Sequence, residues 1–220
     1  MTKKTSNWLR ARQPKQIEER RRSILEAASA LLKASGLEGT GINAIARQAG
    51  VSKANIYRYF ESREAILLQL LLDAHERWLN SLQRKLRKLR GSQEQDAIAA
   101  ALTTTLVKHP RYCQMVGWLA GVLEQNVSAD TIRAFKRELV SSAGPTLGCL
   151  QEAHHALTPE KGQWLLVVLS MQAAGIWPHC HPAPAAQEVL AEKEFAPFRL
   201  DFQATLLVSA RGLLAQVLAA

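Results

Sequence analysis

Cysteine is scarce in this 220-residue chain, with three in all: Cys113, Cys149 and Cys180. An odd number at irregular spacing argues against a disulfide framework and suits a reducing cytosol. Long apolar runs are missing too. The longest, Trp164 to Met171, falls far short of a bilayer span, and the N-terminus is too polar for a secretory signal. No segment shows the strict alternation of a half-buried strand, and no repeat of solenoid period occurs, which leaves an all-helical chain. Enzyme signatures are absent: there is no HExxH, no GxSxG, no phosphate loop and no glycine-rich dinucleotide fingerprint. No catalytic residue, cofactor or membrane partner is expected, and the predicted location is the cytoplasm.

What the sequence does have is positive charge at one end. The formal net charge is +9, and residues 1–64 hold 13 Lys or Arg against 6 Glu and no Asp. A basic block within a folded segment favours a polyanionic partner through counterion release. Residues 1–16 read as a basic arm, with Lys3, Lys4, Arg10 and Arg12 and a stop at Pro14.

Helical periodicity begins after the arm. Ile24, Ala28, Leu31 and Leu32 form one stripe over about 16–35, and Gly36 stands where a helix-ending glycine belongs. Ile42, Ile45, Ala46 and Ala49 repeat the stripe over a short second helix. Gly50-Val51 makes a turn, and Ser52 is a good cap for a third helix to about Phe60. Ser62 caps a long fourth helix to about Arg90, with Ile66, Leu70, Leu71, Ala74 and Trp78 inward. Further helices are predicted near 93–108, 111–126, 129–156, 159–176 and 201–219. Gly144-Pro145 should kink or split the third of these, Thr158-Pro159 should start the fourth, and residues 178–184 should form a loop before one short helix.

Two short helices joined by Ala49-Gly50-Val51 make a helix-turn-helix, whose second member is built to lie in a major groove. With Ser52 as cap, Ile56, Tyr59 and Phe60 share an inward face. Lys53, Ala54, Asn55, Tyr57 and Arg58 face out. Lys and Arg can pair with guanine O6/N7, Asn can pair with adenine N6/N7, and a tyrosine hydroxyl suits a phosphate.

Residues 40–60, Thr-Gly-Ile-Asn-Ala-Ile-Ala-Arg-Gln-Ala-Gly-Val-Ser-Lys-Ala-Asn-Ile-Tyr-Arg-Tyr-Phe, resemble without gaps the DNA-binding signature of the tetracycline-repressor (TetR) family. The segment Glu61-Ser62-Arg63-Glu64-Ala65-Ile66-Leu67 is similar to that family's next helix start, and the signature extends to about residue 77. The resemblance implies a three-helix DNA-binding domain over 17–62 and a larger helical effector-binding and dimerisation domain over 63–220. It also places Lys53, Tyr57 and Arg58 on the recognition helix, Arg63 against a phosphate and Thr40 at the DNA-facing start of the second helix. The full candidate DNA-facing set is Thr40, Gly41, Asn43, Ser52, Lys53, Ala54, Asn55, Tyr57, Arg58 and Arg63. Gly41 and Ala44 depart from the Ser or Thr and the acid that the family carries there, so its capping box cannot form.

The partners implied are double-stranded DNA with a palindromic operator, a small-molecule effector and a second copy of the chain, with the protein held on the nucleoid when bound. Two helices are apolar nearly all round, at Trp164–Leu169 and Leu206–Val208, and each needs burial on more than one side. Leu166, Leu169 and Ala173, with Leu207, Ala210 and Leu214, are the expected dimer stripes. The alternative is that one chain's own core buries both. Candidate effector contacts are Met115, Trp118, Leu119, Glu124, Asn126, Leu169, Gln172 and Trp177, with Gln114 and His154 as further polar groups. His179-Cys180-His181 offers a metal two ligands at best, so no metal site is assigned. The rival readings are a redox- or metal-responsive regulator and a DNA-packaging protein that reads only the backbone.

Overall fold

The computed structural model describes the backbone of residues 4–219 and the side chains of residues 15–219. Ten α-helices run through the described residues: α1 (Lys4–Ser35), α2 (Ile42–Gln48), α3 (Lys53–Tyr57), α4 (Arg63–Leu86), α5 (Gln95–Val107), α6 (Pro110–Trp118), α7 (Ala129–Ala153), α8 (Pro159–Cys180), α9 (Pro184–Leu190) and α10 (Phe202–Ala219). They fall into two compact units. One reaches to Leu70 and takes in Leu123–Thr131; the other holds Leu71–Val122 and Ile132–Ala220. The division therefore lies inside α4 rather than at residue 62, and a distant segment joins the first unit.

In the first unit α1 packs on α2 and α2 on α3. Ile24 and Ala28 of α1, Ile45 of α2, Ile56 of α3 and Ile66 of α4 are each wholly excluded from solvent. A buried aliphatic side chain stabilises by about 1.5–3 kcal/mol, so this small cluster outweighs the weak propensity of helices one or two turns long. The backbone of 4–14 continues α1 as helix where the sequence predicts an arm. Within it Leu-Arg-Ala-Arg-Gln, residues 9–13, are all good helix formers, and Pro14 does not end the helix. The side chains of that stretch, and residues 1–3, lie outside the described residues.

The second unit is a helical core in which α10 packs on α5 and α8, and α6 on α8 and α5. Thr158 caps α8 by accepting from Lys161 N (3.4 Å), with Pro159 in the first turn. Two breaks expected from proline do not occur: α7 runs unsplit through Gly144-Pro145, and α8 continues through Pro178 to Cys180. In contrast, the segment after Trp118 leaves α-geometry for a π-helical turn, Leu119–Leu123.

The expected dimer stripes belong to the chain's own core. Leu166, Leu169, Ala173, Ala210 and Leu214 are all buried within the single chain, and Leu207 is half-buried. The faces left outward are different ones. On α10 they are Ala204, Val208, Arg211, Gly212 and Ala215, and on α8 Trp164, Met171 and Gly175. Residues 193–219 are apolar enough by length and composition to cross a bilayer. Within them, Phe202, Leu206, Ala210, Leu213, Leu214 and Val217 are buried, the pattern of a core helix.

Candidate DNA interface and effector cavity

Two glycines with positive φ frame the helix-turn-helix. Gly36 (φ +63°) ends α1 and Gly50 (φ +64°) makes the turn after α2, a conformation that side chains with a Cβ rarely adopt. The turn is closed by Val51 N donating to Ala46 O (3.0 Å). Ser52 then caps α3, its Oγ accepting from Asn55 N at 3.1 Å. At the start of α2, Gly41 makes no side-chain cap bond, as its missing side chain dictates.

Ile56 and Phe60 anchor α3 from beneath, and the Arg21 guanidinium lies 4.7 Å over the Phe60 ring while donating to Gln69 Oε1 (3.0 Å). Lys53, Ala54, Tyr57 and Arg58 are exposed, and the Lys53 ammonium lies 5.9 Å from the Tyr57 ring. Asn43 is exposed on α2. Asn55 turns to the α1 side, where with Gln16, Arg20, Ser23, Arg58 and Tyr59 it lines a groove. Arg20 at that groove was not singled out from sequence, because a cation in a run of three gives no sign of which one faces a ligand.

One assigned DNA contact is corrected. Thr40 has no exposed surface, and its hydroxyl donates back to Gly36 O at 2.7 Å, so it holds the end of α1. Arg63 pairs with its neighbour, its Nη2 and Nε standing 2.9 and 3.0 Å from Glu64 Oε1, and its side chain stays 28% exposed while Glu64 is buried. The Thr40 hydroxyl is satisfied by a backbone carbonyl four residues back, a local bond that threonine commonly makes. Ser62 caps α4 through Ala65 N (3.1 Å), and Glu61 accepts from Ser128 N (2.8 Å) and Oγ (3.2 Å). Those bonds hold the Glu61 carboxyl below its ordinary range, Thr131 contributing most and Ser128 next.

The second unit holds an apolar cavity of about 260 Å³, open to solvent on one side, between α4, α6, α7 and α8. Leu71, Val116, Leu119, Phe135, Leu139, Val140, Ala143, Leu166, Val167 and Met171 supply its apolar wall. Its polar groups are His75, Tyr112, Ser170, Gln163 and Lys136. Tyr112 stacks on Trp78 (centroids 4.8 Å apart, planes at 17°) and lies 5.5 Å from the His75 ring. Trp78 Nε1 in turn donates to Thr105 Oγ1 (3.2 Å). Burial lowers His75 to about 4 and raises the Tyr112 hydroxyl above its ordinary range.

Of the eight effector candidates only Leu119 lines this cavity. Met115 and Leu169 are buried in the core, and Trp118 and Gln172 are half-buried outside the lining. Trp177 stacks on His181 (3.6 Å) and edges onto Phe202, whereas Glu124 and Asn126 belong to the first unit. The missed residues are His75, Tyr112, Phe135 and Ser170, which lie on four different helices. A signal existed for His75, a polar group one turn from Leu71 on an otherwise apolar stripe.

Cys113 and Cys180 do not have the shift of a reactive thiol. Burial pushes Cys113 up to about 12 and also raises Cys180, with Asp201 adding to the second effect; reactive thiols need the opposite shift. Among the described residues no three His, Cys, Asp or Glu side chains come together as a metal site would require.

Residues 24–70 match the model for bacterial regulatory proteins of the tetR family, and residues 72–217 match the tetracyclin repressor-like C-terminal domain. The chain belongs to the TetR family. The two matches meet at the division between the compact units. An uncharacterized HTH-type transcriptional regulator of Mycobacterium tuberculosis is 30% identical over 158 residues, covering 64% of this chain and 69% of that protein. The HTH-type transcriptional regulator HbdR of Aromatoleum sp. strain CIB is 44% identical over 66 residues, 29% of each chain. Among solved structures, a TetR-family transcriptional regulator from Mesorhizobium loti shares the fold with a TM-score of 0.50 at 16% identity, over 92% of this chain and 96% of that one. This TetR-family chain is a DNA-binding transcriptional regulator.

Proposed function

We propose that this regulator is a cytoplasmic repressor that reads a two-fold symmetric operator as a homodimer and leaves it when a small molecule fills the cavity. The observation that carries the reading is the outer face of α3. Lys53, Ala54 and Tyr57 stand in solvent at the capped end of a helix whose opposite side, Ile56, is wholly buried. A side chain so placed gains nothing for the fold by being cationic or aromatic, and both types suit a groove. Dimerisation is assigned to the outward stripes of α8 and α10, where Val208 is 69% and Met171 64% exposed. Release then requires a ligand that prefers a dimer in which the two α3 helices no longer meet successive major grooves.

Protection mapping on sheared genomic DNA tests the reading. Discrete, two-fold symmetric sites are expected, and uniform coverage would instead mark a packaging protein. Lys53→Ala should cost about 1–3 kcal/mol and relax one position of the site, whereas Tyr57→Phe should weaken all sequences alike. Unchanged affinity in both variants would show that α3 docks by another face.

A further inference from the structure

The cavity's three buried polar groups present the same half of a hydrogen bond to it. Tyr112, Ser170 and His75 are its buried polar lining, at 4%, 8% and 8% exposure. Tyr112 Oη spends its hydrogen on Ser170 Oγ (3.0 Å), and Ser170 Oγ spends its own on Leu166 O (2.7 Å). Each oxygen keeps a lone pair and no proton to give. His75 follows by the same accounting. The Ser142 hydroxyl donates to Leu139 O (3.2 Å), so it meets His75 Nδ1, 3.4 Å away, with a lone pair. With the Ser142 hydrogen on Leu139 O, the proton of the neutral ring is assigned to Nδ1. Burial keeps the ring neutral, which leaves Nε2 an acceptor without a partner among the described residues.

Charge narrows the choice further. Among the described residues no Asp or Glu lines the cavity, so a buried cation would have no counterion. A carboxylate would meet lone pairs at the floor formed by His75, Tyr112 and Ser170; Lys136, the one cation among the described lining residues, is exposed at the mouth. Size sets the rest. A dry cavity of about 150 Å³ holds benzene and drug sites start at about 300 Å³, so 260 Å³ suits one or two rings. Phe135, Tyr112 and His75 put three aromatic rings in its wall, which favours a flat aromatic ligand.

We propose that the cavity takes an uncharged one- or two-ring alcohol or phenol, whose hydroxyl donates to the acceptor floor of His75, Tyr112 and Ser170. This rests on the reading of the cavity as the effector site. The test is calorimetric titration of the full-length protein at neutral pH with four matched probes: 2-naphthol, 2-methoxynaphthalene, 2-naphthoate and 2-naphthylmethylammonium. Naphthol should bind about ten- to a hundredfold tighter than its methyl ether, the cost of an unmade buried hydrogen bond. Both charged probes should bind more weakly than naphthol. His75→Phe, or Tyr112→Phe should the first fail to fold, should narrow the gap between naphthol and the ether. Val140→Trp at the mouth, where Val140 is 62% exposed, should block all binding in a folded protein.

Equal affinity for the ether, tighter binding of either charged probe, or no binding of naphthol would overturn the ligand class. So would naphthol binding untouched by Val140→Trp. Operator affinity is measured separately with each probe. Naphthol bound in the cavity with operator affinity unchanged would uphold the ligand class and remove the release mechanism. A charged probe that binds in the cavity and frees the operator would do the reverse.

Discussion

Replacing Val208 by lysine is expected to split the dimer while each chain stays folded. Val208 sits on the outward stripe of α10 and is 69% exposed in the single chain. Full burial of a valine is worth about 1.5 kcal/mol at the low end, so closing over the exposed two-thirds contributes about 1 kcal/mol per chain. A two-fold interface counts the residue twice, giving about 2 kcal/mol and a roughly thirtyfold change in dissociation constant. That is a lower bound, reached if the lysine stem covers the site and its ammonium escapes to water. An ammonium trapped at the interface costs several kcal/mol more. Lysine is a sharper probe than glutamate. Arg211 lies one turn further along the same stripe and would neutralise an acid, whereas its guanidinium already holds Asp96 at 2.9 Å. The assay is light scattering over a concentration series, with circular dichroism to confirm the helices. Leu214→Lys is the control: Leu214 has no exposed surface, so that variant should unfold. A folded Val208→Lys protein that dimerises like wild type would show that this stripe is not the interface.

Two further outcomes follow from single contacts. Thr40→Val should lower the melting temperature by about 2–4 °C through the lost bond to Gly36, about 1 kcal/mol, and leave the salt dependence of operator binding unchanged; a slope reduced by about 0.9 would mean that Thr40 meets a phosphate after all. His75, lowered by burial from 6.5 to about 4, takes up its proton more readily when unfolded, so stability should fall as pH drops from about 6.5 towards 4, by up to about 3 kcal/mol. Urea midpoints of wild type and His75→Phe across that range check this, and equal pH slopes for the two would refute it.

The first unit was legible because its signals are local. Ser52 caps α3, Ser62 caps α4, Gly36 and Gly50 turn the chain, and each does so through atoms within four residues. The second unit was legible in its elements but not in its partners. A helix apolar on most sides, such as α8, must be covered; periodicity alone does not say whether by its own chain or by another. Leu166, Leu169 and Ala173 are the most apolar stripe and went to the intrachain core, while Trp164 and Met171 stay exposed in the single chain. The cavity was least legible, since its polar floor comes from α4, α6 and α8, and nothing in the sequence marks their convergence.

Charge in the first unit shows a related limit. Thirteen cations in the first 64 residues suggest a broad electrostatic footprint, but a cation counts towards DNA only if its donors are free to turn outward. Arg21 spends its guanidinium between the Phe60 ring and Gln69, bracing α3 and α4, and Arg63 is held by Glu64. Lys53 and Arg58 are exposed at the two ends of α3, and Arg20 lines the groove between α1 and α3. The five residues of α3 are too few to hold a helix alone. Its direction comes from Ile56 and Phe60 beneath it and from the Ser52 cap, and Arg21, over the Phe60 ring, braces that support. The salt slope of operator binding should therefore follow the cations that face outward and fall below what the net charge of the segment suggests.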